Sequence, residues 1–226
     1  MSRNETAALS RNSTTRDLAL TFAGGGNRAF YQMGLISRWQ DWLLPRVAVV
    51  ASCSAGACVV TTLLSGRREE AREFWLRQTS NVKRNFDLTK LARGERPAPH
   101  GDIYRDTLLV TFRHGGLERI KAQPFPVLIL ASVIPRILPV MLSVAVGIGL
   151  YSLERNLKRG PHPKTQRILG STPLVVDARD SDSPEELTAL VLASSSTPPF
   201  TPVGDFRGTP LLDGGMIDNA PAFTTL

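Results

Sequence analysis

Ser54 sits in Ser52-Cys53-Ser54-Ala55-Gly56, between small residues, where a β-branched apolar run gives way to a small, apolar, helix-compatible stretch. A serine at such a strand-to-helix junction can be exposed on a sharp turn and serve as a nucleophile. The pattern this turn requires is G-x-S-x-G, because the positions two before and two after the nucleophile crowd each other. Gly56 satisfies the second position, and Ser52 stands in at the first. If Ser52 were the nucleophile, its flanks would be Val50 and Ser54, and a β-branched valine fits that turn poorly. Taken alone, the motif is also compatible with an ordinary buried helix.

Two further constellations bear on the choice. Gly24-Gly25-Gly26-Asn27-Arg28 follows a short apolar run and precedes a helical pattern. Its backbone N–H groups can converge on developing negative charge as an oxyanion hole, helped by the dipole of the following helix. The same residues with Ala29 satisfy G-x-G-x-x-A, so a dinucleotide-binding loop is the rival reading. That rival needs an acidic residue at the end of the next strand, where this sequence has cysteine and serine. The other constellation is Leu211-Leu212-Asp213-Gly214-Gly215, an apolar pair that delivers an aspartate into a glycine turn. With His100, His114 and His162 in the chain, a Ser-His-Asp triad can be written down. Yet His100 and His162 lie in proline-flanked loops and His114 precedes two glycines, so no histidine has the context of a base.

The elements that must position these residues follow from periodicity. LALTFA (18–23) reads as a buried strand entering the glycine turn. Phe30, Met33, Ile36, Trp39 and Leu43 recur at helical spacing in a helix that Pro45 ends. VAVVASC (47–53) predicts a second buried strand, and SAGACVVTTLLSG a buried helix stopped at Gly66. From Arg67 to Arg105, dense mixed charge predicts a solvated helix and then a loop around RGERPAPHG. PFPVLILAS (124–132) and STPLVVDA (171–178) read as further fully buried strands. Ser183-Pro184-Glu185-Glu186 is a capping box with proline at the first helical position, opening the helix ELTALVLAS. Alternating strands and helices imply an α/β fold whose central sheet is mostly parallel and flanked by helices on both faces.

Composition narrows the setting. At 226 residues, with 42% apolar and 21% charged, the chain can bury a sizeable core and is not a disordered polypeptide. Its net charge of +7 favours anionic partners. No basic run is interleaved with aromatics, which speaks against nucleic acid. Only Cys53 and Cys58 are present, without a disulfide framework, so a reducing, cytoplasmic setting is expected. Residues 1–17 read as a polar lead-in without the apolar core of a signal peptide. Ile137 to Leu153 carries no charge and is followed by Arg155, Lys158 and Arg159. It falls short of the roughly 20 apolar residues a span needs and contains Pro139, Gly147 and Gly149. A core helix and an interface-seeking helix, giving peripheral contact with a membrane, both remain open for it.

In order, the glycine loop ending in arginine, the serine elbow, ASSSTPPFTP (193–202) and Asp213-Gly214-Gly215 resemble the patatin-like phospholipase family, over Leu18 to Pro221. The resemblance implies a three-layer α/β catalytic domain over 18–226 that hydrolyses acyl esters of phospholipids or other lipids without metal or organic cofactor. It further implies a serine-aspartate dyad of Ser54 and Asp213. Gly24, Gly25, Gly26 and Arg28 would form the oxyanion hole, with Gly25 and Gly26 donating and Arg28 fixing the loop or adding positive potential. Ser52 and Gly56 would flank the elbow. Burial that raises the aspartate's pKa would make it a better base. Ser52 departs from the usual first glycine of the elbow and Ala29 from the glycine often found after the arginine. The sequence also stops soon after the aspartate loop, so a shortened domain or a fragment is expected. A catalytically inactive lipid-binding scaffold is the alternative function.

Overall fold

The computed structural model describes residues 15–80, 82, 100–134, 146, 149, 170–198 and 200–225. Six strands among them form one mixed sheet flanked by helices, the α/β class read from the sequence. Strand β1 (Leu18–Phe22) pairs in parallel with β2 (Val47–Cys53), which pairs in parallel with β3 (Val127–Val133). Beyond this parallel half the direction changes. Strands β4 (Thr172–Asp177) and β6 (Thr209–Asp213) both run antiparallel to β3, and β5 (Gly204–Phe206) runs antiparallel to β6.

The helices are α1 (Phe30–Leu43), α2 (Ala55–Leu64), α3 (Arg68–Thr79), α4 (His100–Phe112), α5 (Gly116–Lys121) and α6 (Pro184–Ser194). Helix α2 is apolar all round and is buried almost throughout, as such a helix must be. Helix α6 starts at its predicted box: the Ser183 hydroxyl accepts the Glu186 N–H at 3.1 Å, while the Glu186 carboxylate accepts the Asp182 N–H at 2.6 Å. The main core joins Phe22, Val50, Leu108, Phe112, Ile129 and Leu190 across sheet and helices.

Several expectations are corrected. Strand β3 starts at Val127 rather than residue 124, after Pro124 and Pro126, which lack the N–H a ladder needs. Strands β1 and β4 are only partly buried, because among the described residues each pairs with one neighbour at an edge; Val175 of β4 is 42% exposed. Helix α1 itself is as expected; along its spaced apolar positions Ile36 is buried and Met33 and Leu43 pack on the core, while Phe30, Trp39, Tyr31 and Trp42 are exposed. His100 opens α4 instead of lying in a loop. The apolar stripe of α4 is masked in the sequence by Thr107 and Thr111. Both are buried with their hydroxyls donating to the carbonyls of Ile103 and Thr107, each at 2.7 Å. The stretch 137–153, apart from residues 146 and 149, lies outside the described residues, as does most of the expected loop around RGERPAPHG. No helix among the described residues is long and apolar enough to cross a membrane.

Candidate active site

The register of β3 brings the two chemistry-bearing segments together. One edge of β3 is taken by β4 along residues 128–133. The other edge is shared: β2 occupies it up to Cys53 opposite Leu130, and β6 occupies it from Leu211 to Asp213, which faces Ala131. Because β2 is parallel and β6 antiparallel to β3, their C-terminal ends point at each other and meet. Ser54 follows β2 directly and Asp213 ends β6, so residues 159 apart in sequence become neighbours.

Ser54 has φ 52° and ψ −135°, a backbone conformation that a non-glycine residue adopts only when its surroundings impose it. Its carbonyl accepts the Ala57 N–H at 2.9 Å, which starts α2, and its own N–H donates to the Ser194 hydroxyl at 2.8 Å. Gly56 is required here, although not because of Ser52. A Cβ at Gly56 would collide with the carbonyl oxygens of Phe22 and Ala23, where β1 ends against the start of α2. Ser52 is fully buried, and its hydroxyl donates to the Leu128 carbonyl at 3.1 Å, which ties β2 to β3.

The Ser54 hydroxyl donates to Oδ2 of Asp213 at 2.6 Å, and Oδ1 accepts the Gly215 N–H at 2.7 Å. Burial pushes the Asp213 carboxyl up from its ordinary 3.8 to about 6, against the opposing pull of these two donors. Gly214 lets the chain turn directly over β3, since a Cβ there would overlap the Leu130 carbonyl. The Asp213 N–H donates to the Ser196 carbonyl at 2.8 Å. A hydroxyl held on a carboxylate of raised basicity has the chemistry to act as nucleophile and base without an intervening imidazole. His114 lies in the turn after α4 with its carbonyl accepting from Arg67, and His162 is outside the described residues.

The glycine loop lies beside this pair. A Cβ on Gly24 would come within 3.1 Å of the Ser54 Cβ, and Gly25 and Gly26 both have positive φ, 155° and 56°. Arg28 is exposed, and two other residues bond directly to the start of the loop. Gln32 of α1 accepts the Ala23 N–H and donates to the Ala23 carbonyl, both at 2.8 Å, as a neighbouring strand would. Asn219 accepts the Gly24 N–H on its carbonyl at 3.0 Å and donates its side-chain N–H to the Gly24 carbonyl at 3.4 Å. Neither residue was singled out in the sequence: Gln32 is one polar position in a helical pattern, and Asn219 is part of no motif. Ser194 lay inside the segment 193–202, but nothing local marked it.

A sequence model of the family described as patatin-like phospholipase matches residues 20–226. That range takes in the glycine loop, the elbow, the serine-rich segment and the aspartate turn. No curated protein matches the chain.

Proposed function

Since the chain belongs to the patatin-like phospholipase family of lipid hydrolases, we propose that it hydrolyses acyl esters of phospholipids or similar lipids through Ser54 and Asp213. The observation that carries this reading is the 2.6 Å hydrogen bond from a serine on a strained elbow to a buried carboxylate. Ser54 Oγ attacks the ester carbonyl carbon as its proton passes to Oδ2 of Asp213. The N–H groups of Gly25 and Gly26 receive the oxyanion, which strengthens these contacts as charge develops. As the carbonyl reforms, the bond to the alcohol breaks and Asp213 returns its proton to the departing oxygen, leaving an acyl ester on Ser54. Water then attacks that ester with Asp213 again as base, releasing the carboxylic acid and restoring Ser54. With its pKa raised to about 6, Asp213 is still ionised at neutral pH but is more basic than an exposed aspartate.

We further propose that residues 137–153 contact the lipid surface peripherally, supported by their uncharged sequence next to Arg155, Lys158 and Arg159. The two thiols, both free, fit a cytoplasmic setting. The test of the central reading is labelling by a serine-directed fluorophosphonate. The parent and Ser52→Ala should react, while Ser54→Ala should not, and its esterase rate should fall by a factor on the order of 10⁶. A Ser54→Ala variant as active as the parent on a short-chain nitrophenyl ester would refute the assignment.

A further inference from the structure

The serine-rich segment at the C-terminal end of α6 makes and breaks no bond in this reaction, yet it touches both members of the pair. Ser194 is fully buried, and both hydrogen-bonding faces of its hydroxyl are used by backbone. It accepts the Ser54 N–H at 2.8 Å and donates to the Leu130 carbonyl at 2.7 Å. Two residues on, the Ser196 carbonyl accepts the Asp213 N–H at 2.8 Å. The Ser196 hydroxyl donates to the Pro202 carbonyl at 2.6 Å and accepts the Gly204 N–H at 3.0 Å, which closes the loop that leads into β5. Ser195 faces the partly buried Tyr104, their oxygens 3.4 Å apart.

The Ser54 N–H has no place in the sheet. Its strand ends at Cys53, and the next position along that edge of β3 belongs to Asp213. A buried N–H without a partner is costly, and a backbone held at positive φ relaxes unless something opposes it. We propose that Ser194 is a positioning residue that clamps the Ser54 elbow in its reactive conformation by bridging the nucleophile's N–H to the Leu130 carbonyl of β3. Leu130 is the residue that pairs with Cys53 and over whose carbonyl Gly214 turns, so the clamp refers the nucleophile to the point on which the aspartate turn is also built. It also occupies the Ser54 N–H, leaving the oxyanion to donors from elsewhere, such as Gly25 and Gly26. Tilting of the Ser54 N–H swings its Cα–Cβ bond and hence the reach of Oγ to Asp213.

The inference rests on the hydrolase reading for its kinetic consequence but not for its structural one. In Ser194→Ala, kcat on a short-chain nitrophenyl ester should fall roughly 100-fold, as for a misplacement on the order of 1 Å. KM should stay within about twofold, since ground-state binding is untouched. The acid limb of the pH profile should move to higher pH, because the Ser54 hydroxyl that lowers the Asp213 pKa is no longer held on it. Ser194→Thr, which keeps the hydroxyl, should recover most of kcat. If Ser194→Ala does not fold, Ser194→Cys replaces it, with a thiol that is a weaker partner of similar volume; parental kcat in Ser194→Cys then overturns the clamp. Amide hydrogen exchange supplies a readout independent of activity: the Ser54 N–H should be protected in the parent and exchange much faster in the substituted protein. A Ser54 amide that exchanges freely in the parent, or Ser194→Ala with parental kcat and an unmoved acid limb, overturns the inference. Absence of fluorophosphonate labelling in the parent would instead overturn the hydrolase reading and leave the exchange result to judge the clamp.

Discussion

Replacing Asp213 by asparagine should abolish activity and yet stabilise the protein, by an amount that depends on pH. The carboxyl is buried, and its pKa moves from the ordinary 3.8 to about 6. At about 1.4 kcal/mol per pH unit, ionising it in the folded protein costs about 3 kcal/mol more than in the unfolded chain. The sign follows from the direction of the change. A raised pKa means that the folded state holds the proton more tightly, so the stability contributed by the protonated carboxyl is fully present below pH 3.8. It is lost as pH rises through about 6. Asparagine is nearly the same shape, can accept the Gly215 N–H on its oxygen and turn its NH₂ toward Ser54, and never ionises. Asp177, Glu185 and Glu186, whose carboxyls arginine partners hold below their ordinary values, titrate alike in both proteins and cancel in the comparison. Urea unfolding of parent and Asp213→Asn from pH 4 to pH 8 should therefore show similar stability at the acid end. The gap should open through pH 6 in favour of the variant, to about 3 kcal/mol at most. Over the same range kcat/KM of the parent should fall below pH 6, as the base becomes protonated. A variant equally or less stable than the parent at pH 7.5 would refute the reasoning, because the ionised carboxylate would then be comfortable in its site.

Gly56→Ala should lower stability by about 1–3 kcal/mol and slow fluorophosphonate labelling, because the added methyl meets the Phe22 and Ala23 carbonyls under the elbow; urea unfolding with unchanged stability would mean that the β1 end can move aside. Combined replacement of His100, His114 and His162 by glutamine should leave most esterase activity, and its loss with the fold intact by circular dichroism would restore an imidazole base. Binding to anionic liposomes should weaken as salt rises, by roughly 1 kcal/mol for each of Arg155, Lys158 and Arg159 that salt screens from the surface. Co-sedimentation that is absent at low salt would remove 137–153 as a lipid contact, and binding that survives alkaline carbonate would make that segment a membrane span.

Much of the machinery could be read from short stretches of sequence because its causes are short-range. Small residues around Ser54 permit a sharp turn, Gly25 and Gly26 permit positive φ, and Ser183 and Glu186 cap the start of α6. The strand VAVVASC was placed at its observed bounds by its β-branched run. Where polar residues are buried but satisfied by their own helix, as Thr107 and Thr111 are, the same logic failed and α4 went unseen. Periodicity located α1, but that Ile36 is buried while Phe30 and Trp39 are exposed does not follow from it, since spacing identifies a stripe but not whether anything packs on it. Strand direction, the Asp213 pKa and the roles of Gln32, Asn219 and Ser194 required the folded chain. The serine and the aspartate are each legible alone, but their 2.6 Å contact is a property of β3. Only the register of that third strand decides that β2 and β6 share one of its edges and end face to face.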